Sequence, residues 1–248
     1  MAEVAKQLFN LTPVFSANTF NMRNQLLVVL FCFLFSSGFA QQSETRSLGS
    51  FKGVKVGEAI DVYLKKGEKE SVKVEVTGVS LSDVLTELTG SYLRVHMKDG
   101  NYRNQRTVKV YVTYVSIDRI SSSSAANVFS EGTIKASTMD ISTSSAASVE
   151  ISLDAESVTV DVSSAGDATL EGKAKSLRVE ASSAGSVDAY NLECENVDAS
   201  VSSAGSAKVS VSNALDAQAS SGGSIRYRGT PNKTNTNASS GGSVKKSN

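Results

Sequence analysis

The chain has 248 residues, with 25 Lys+Arg against 25 Asp+Glu, 18 Gly, 2 Pro and no Trp. A formal charge of zero lacks the basic excess that marks nucleic-acid binders, and 6% aromatics do not build a thick globular core. A narrow core remains open to a backbone that repeats.

Residues 26–35 read LLVVLFCFLF, an unbroken apolar run preceded by Arg23 and followed by Ser36-Ser37-Gly38-Phe39-Ala40. A positive flank, a run of this length and small residues at Gly38 and Ala40 predict a secretory signal peptide over residues 1–40, cleaved before Gln41. The run falls short of the ~20 apolar residues of a membrane span. Met22 directly before Arg23 would open a compact signal, so residues 1–21 are expected to be a start-site artefact. Phe31 stands before Cys32 where a lipoprotein signal wants a small residue. Cleavage leaves Cys194 alone, without an internal disulfide, and it is read as a small buried residue.

Residues 45–120 are strand-rich and irregular. Segments 51–56, 59–64, 72–76, 92–97 and 108–115 alternate or carry β-branched runs. Residues 81–88 place Leu81, Val84, Leu85 and Leu88 at helical spacing and predict one short helix. The section is expected to form irregular first coils, or a small β layer capping the N-terminal end of a repetitive region.

From residue 121 a Ser-Ser-small-small tetrad recurs seven times, beginning at Ser123, Ser144, Ser163, Ser182, Ser202, Ser220 and Ser239. The intervals are 21, 19, 19, 20, 18 and 19 residues. Apolar residues recur five, three and one positions before each central tetrad (Val158, Val160, Val162 before Ser163), and five and seven after its start (Ala168, Leu170). Polar residues such as Thr159, Asp161, Arg178 and Glu180 fill the gaps. Such alternation predicts half-buried strands, two per period, with no room for a crossover helix. The expected fold is all-β: a parallel β-helix or solenoid with coils of about 19–20 residues, forming one domain over residues 45–248. The tetrad marks a corner, where stacked hydroxyls are expected to bond from coil to coil. The core thins toward Thr234, Thr236 and Ala238, with Lys245 and Lys246 as edge charges.

The chemistry-bearing residues form no catalytic set. His96 is the sole histidine, at a surface position of its strand pattern. No base accompanies the tetrad serines, and the acids fall at outward positions beside Lys, Arg and Thr. Catalytic, cofactor-binding and metal residues, and any cofactor, are therefore expected to be none. One outward column, Glu150, Thr169, Asp188, Lys208, Arg226 and Lys245, shifts from acidic to basic. Tyr63, Tyr92, Tyr102, Tyr111, Tyr114, Tyr190 and Tyr227 are the candidate contact aromatics.

The run Phe51-Lys52-Gly53-Val54-Lys55-Val56, with residues 59–64 (AIDVYL) and the Ser-Ser-Ala-Gly-Ser-Val and Ser-Ser-Gly-Gly-Ser-Val-Lys-Lys repeats, resembles the head GIN domain family of putative auto-transporter adhesins over about residues 47–246. The resemblance implies a β-helix-like fold, an extracytoplasmic location and an adhesin role. It carries no catalytic or ligand residues. The sequence given holds no run of ~10-residue alternating barrel strands with aromatic girdles, so periplasmic residence, outer-membrane display by another route and secretion are all expected possibilities.

The leading expectation is an exported, non-enzymatic surface or envelope-associated binding protein, with a glycan or a protein at the cell surface as partner, no nucleic acid, and no membrane span after cleavage. Two alternatives stay open. One is a carbohydrate-active enzyme, which needs an aromatic-lined groove with two carboxylates at ~5–9.5 Å. The other is a self-associating structural element of the periplasm.

Overall fold

The computed structural model describes residues 41–102 and 106–247. The expected signal segment and start-site artefact, residues 1–40, lie outside the described residues. No helix among the described residues is long and apolar enough to cross a membrane.

The N-terminal section holds β1 (Gln42–Ser47), β2 (Gly53–Val56), β3 (Asp61–Lys66), β4 (Ser71–Thr77), β5 (Val84–Thr89), β6 (Tyr92–Met97) and β7 (Thr107–Tyr114). The repeats give β8 (Arg119–Ser122), β9 (Asn127–Thr143), β10 (Ser148–Val162), β11 (Asp167–Ala181), β12 (Ser186–Val201) and β13 (Ser206–Ala219). The far end is β14 (Ser224–Arg228), β15 (Lys233–Ala238) and β16 (Ser243–Lys246). All sixteen belong to one sheet, in which the repeat strands wind as a parallel solenoid.

The two strands expected per period are joined in each central coil into one long bent strand. In β10 the inward residues Val149, Ile151, Leu153 and Ala155 alternate strictly, then Val158, Val160 and Val162 resume after Glu156 and Ser157. Two consecutive residues outside the core reset the phase and bend the chain, so this second corner needs no loop. Each inward Val, Leu or Ile stacks on its counterpart in the next coil, as Val158 does on Met139 and Leu177. Burying one such side chain contributes roughly 1.5–3 kcal/mol. The core runs unbroken from Phe51 to Ile225.

Each tetrad is the other corner. Its fourth residue donates to the first carbonyl, as Gly185 N–H does to Ser182 O at 2.8 Å. Its two central residues have positive φ, 50° at Ser183 and 61° at Ala184. That combination defines a type I′ turn. A Cβ on Gly185 would lie 2.7 Å from the Val162 carbonyl oxygen of the preceding coil, so this position admits no side chain without movement. The axial bonds at the corner run through the backbone: Ala165 N–H donates to Ser183 O at 3.0 Å, and Ala184 N–H to Ser203 O at 3.1 Å. The amide thus performs the coil-to-coil bonding expected of the hydroxyls.

The same corner occurs once more, in the section expected to be irregular. Glu58 and Ala59 have φ of 65° and 57°, and Ser123 N–H donates to Val56 O at 3.0 Å. β2 and β3 therefore make a coil lying directly on the Ser123 coil, pairing in parallel with β8 and β9. On their other side lie β6 and β7, also parallel. Antiparallel β5, β4 and β1 then close this end.

The helix expected over residues 81–88 is not formed. Leu81–Asp83 make a single 3₁₀ turn closed by a Ser80–Asp83 capping box, and β5 follows at once. Pairing with β6 sets Leu85 opposite His96 and Leu88 opposite Leu93. The strand edge of β6 needs hydrogen-bond partners, and that requirement overrides the local spacing. At the far end the thinning core is as expected: Thr234, Thr236 and Ala238 continue the Leu215, Ala217 and Ala219 columns, and β15 is exposed throughout.

Candidate binding face

The strand that follows each turn presents one outward column along the solenoid. The register joins Lys73, Tyr111, Tyr63, Phe129, Glu150, Thr169, Asp188, Lys208, Arg226 and Lys245 in a single line. The acidic-to-basic column read from the repeats is therefore contiguous, and it extends further toward the N-terminal end.

The extension is aromatic. Tyr63 stacks between Tyr111 and Phe129, with ring centroids 5.2 and 5.3 Å apart and interplanar angles of 19° and 22°. All three are half-buried. Each stacked pair adds about 0.5–1.5 kcal/mol beyond its buried area. Lys73 Nζ lies 5.8 Å from the Tyr111 centroid and 2.7 Å from a Glu75 carboxylate oxygen. That hydrogen bond holds the Glu75 carboxyl below its usual range and the Lys73 ammonium above its own. The rings turn their faces to one another, so the stack presents edges outward.

Phe129 is absent from the tyrosines singled out above, yet its position carried a signal. It stands six residues after the start of its tetrad, as Glu150 does in the next coil. Tyr63 stands likewise six residues after Gly57, the first residue of the unrecognised corner.

The remaining tyrosines disperse. Tyr114 is buried, and its hydroxyl pKa is raised by burial. Tyr92 lies beneath Arg119 at 5.9 Å and Tyr102 beneath Arg106 at 4.7 Å. Tyr227 is half-buried at the thinning end of the core. Tyr190 occupies the bulge where the register between β11 and β12 shifts, and it carries the Arg228 guanidinium at 3.9 Å from its ring centroid.

Several other outward positions pair opposite charges from coil to coil, while Asp161/Glu180 and Asp198/Asp216 set like charges opposite. Lys135 meets Asp154 at 3.8 Å, Lys173 meets Glu193 at 3.8 Å, Lys175 meets Glu156 at 3.3 Å, and Arg178 meets Asp198 at 3.5 Å. These exposed pairs are each worth little, up to about 1 kcal/mol.

A concavity follows the tetrad corner, lined by Ser163, Ser182, Ser202 and Ser220 together with Asp161 and Glu180. Burial raises the Asp161 carboxyl above its ordinary value, with Glu180 adding to it. No aromatic residue lines this groove.

His96 is half-buried where a surface position was expected, because β5 covers it. Nδ1 lies 3.0 Å from the Met97 carbonyl and Nε2 3.4 Å from Glu87. Cys194 is buried in line with Ala174 and Val211, and burial pushes its thiol up to about 12. Among the described residues no three His, Cys, Asp or Glu side chains gather to hold a metal ion.

A parallel β-solenoid whose coils display one continuous outward column defines the class. The chain belongs to the family described as "Putative auto-transporter adhesin, head GIN domain", which matches residues 50–231. Among solved structures it is similar to a putative adhesin from Bacteroides fragilis, at 19% identity and a TM-score of 0.73, covering 85% of this chain and 98% of that one. A putative adhesin from Parabacteroides merdae shares 16% identity with a TM-score of 0.60, over 84% and 96%. A protein described as putative lipid binding, from Parabacteroides distasonis, shares 15% with a TM-score of 0.63, over 84% and 97%. At these identities the likeness shows the fold. No curated protein matches the chain.

Proposed function

We propose that this protein is exported, loses residues 1–40, and works without catalysis as an adhesin-like binding module at the cell surface or within the envelope. Its partner class is a surface glycan or protein. The observation that carries this reading is the unbroken outward column from Lys73 to Lys245. A rigid ladder holds aromatic and charged side chains at fixed spacing with little ordering entropy to lose on binding. Membership of the adhesin family points the same way.

The test is protease shaving and antibody labelling of intact cells expressing the full chain with a C-terminal tag. Labelling of intact cells is the expected result, with a product beginning at Gln41. Labelling only after outer-membrane permeabilisation would remove the direct adhesin role and leave an envelope-internal one. A product retaining residues 26–35 would overturn the cleavage.

A further inference from the structure

At its basic end the outward column sets three cations side by side. Lys208, Arg226 and Lys245 are direct register neighbours on β13, β14 and β16. Like charges directly opposite each other destabilise a sheet; single acidic pairs of this kind occur at Asp161/Glu180 and Asp198/Asp216, whereas here three cations follow one another. Edge protection explains Lys245 on the last strand, but β13 and β14 are paired on both sides, so it explains neither Lys208 nor Arg226.

Asp188, the next residue in the column, is already committed. It accepts from Lys208 Nζ at 2.8 Å through one oxygen and from Tyr190 N–H at 3.2 Å through the other. Glu193, two strands from Arg228 in the adjacent column, meets Lys173. Arg226, Arg228 and Lys245 form no ion pair among the described residues.

A second observation points to a ligand. The coil beginning at Ser182 is the 20-residue one, and its bulge places Tyr190 outward beneath Arg228. The Tyr190 hydroxyl meets Ser247 Oγ at 2.5 Å, and Lys208 Nζ lies 5.8 Å from the same ring. The ring thus orients a guanidinium whose edge donors remain available. On the opposite flank Ser206, Ser224 and Ser243 form a half-buried hydroxyl column in the same register.

We infer that Lys208, Arg226, Lys245 and the Tyr190-mounted Arg228, flanked by the serine column, bind a linear polysaccharide bearing sulfate or carboxylate groups. This rests on the binding-module reading and names the ligand class of that module. Three cations at strand spacing form a line of about 10 Å, suited to a polymer with regularly spaced anions, and hydroxyls beside it suit a polyhydroxylated chain. A membrane is less well matched: among the described residues the exposed large apolar ones, Leu88 and Val115, lie in the N-terminal section, and interfacial docking uses apolar insertion beside the charge. Single-stranded nucleic acid would call for open aromatic faces, and Arg228 covers that of Tyr190.

The test uses the chain from Gln41 and heparin as the sulfated probe, with affinity followed against salt by calorimetry. The double variant Arg226→Gln/Lys245→Gln is compared with Lys135→Gln/Lys173→Gln, which removes equal charge from an alternating column. The expected result is about a ten-fold loss and a shallower salt slope in the first variant alone. Equal loss in both variants, or no heparin binding, would overturn the inference. Patch-dependent binding of phosphatidylglycerol vesicles or single-stranded DNA as tight as that of heparin would also overturn it. The two readings fail separately, since cell-surface labelling does not depend on these four side chains.

Discussion

Ala59 N–H donates to the Ser124 carbonyl at 2.9 Å, although most of the N-terminal section separates the two residues in sequence. It is the same axial bond that Ala125 N–H makes to Ser145 O at 3.0 Å in the next coil. The repeat therefore begins at residues 57–60, and the strands from β4 to β7 are an insertion between its first two corners. That insertion supplies β7, whose Tyr111 completes the stack on Tyr63 and Phe129.

The corner itself is improvable. Ala184 holds a φ of 61°, while Gly222 and Gly241 occupy the same tetrad position at 75° and 77°. A left-handed conformation costs an alanine roughly 1–2 kcal/mol. Glycine's extra unfolded-state entropy returns about 0.5–1 kcal/mol of that. Ala184→Gly is expected to stabilise the protein by about 0.5–1 kcal/mol, read as a higher urea midpoint at unchanged m-value. A lower midpoint would mean that the alanine methyl contributes packing which outweighs its backbone strain.

Gly172 tests the close approach of adjacent coils. It stands between Leu153 and Leu192 in register, at a φ of 109°, and a Cβ would overlap the Leu153 carbonyl oxygen. Gly222 also has positive φ, but a Cβ there meets nothing within 4 Å. Gly172→Ala is expected to lose at least ~2 kcal/mol, by strain and clash together, and Gly222→Ala only about 1 kcal/mol. Equal losses in thermal or urea unfolding would show that backbone dihedral strain, not the close approach of coils, decides both.

The parts of this architecture legible in sequence are those written in local windows. The tetrads and their flanking apolar residues specify corner, inward face and period together, so the coils follow from residues 121–248. The first corner was hidden because residues 57–60 read Gly-Glu-Ala-Ile. Its flanks Val54, Val56, Val62 and Leu64 keep the apolar spacing of the repeats. The strand at Val84–Thr89 was obscured by leucines at helical spacing; only its partner strand shows that a ladder forms there. In the binding face, the charge column was visible by counting from each tetrad. The aromatic stack needed the hidden corner to bring Tyr63 beside Phe129, and the seat of Arg228 on Tyr190 needed the bulge.

Cys194 offers a clock for opening. Its thiol is buried, and desolvation pushes its pKa up to about 12, so almost no thiolate exists at neutral pH and reagents lack access. Ellman's reagent is expected to leave the native protein unmodified and to react stoichiometrically in urea. The slow native-state rate should rise in step with destabilisation by Gly172→Ala, because its neighbour Lys173 pairs with Glu193 beside Cys194. Rapid labelling of the folded wild type would contradict the burial assigned to this column.

Asp161 sets a pH dependence of definite sign. Burial raises its carboxyl above the ordinary 3.8, its register partner Glu180 adds to the rise, and Arg178 opposes it. The folded state then holds this proton more tightly than the unfolded state. Stability is accordingly lost as pH climbs from the unfolded value through the raised folded value, and the loss persists at neutral pH. Glu75, held low by Lys73, acts in the opposite direction, so the total profile mixes the two. The difference between wild type and Asp161→Asn isolates the first. The variant is expected to be the more stable at pH 7, with the gap closing below about pH 3, measured by urea unfolding at both values. A variant less stable at pH 7 would show that attraction to Arg178 outweighs the combined burial and repulsion in the serine-lined groove.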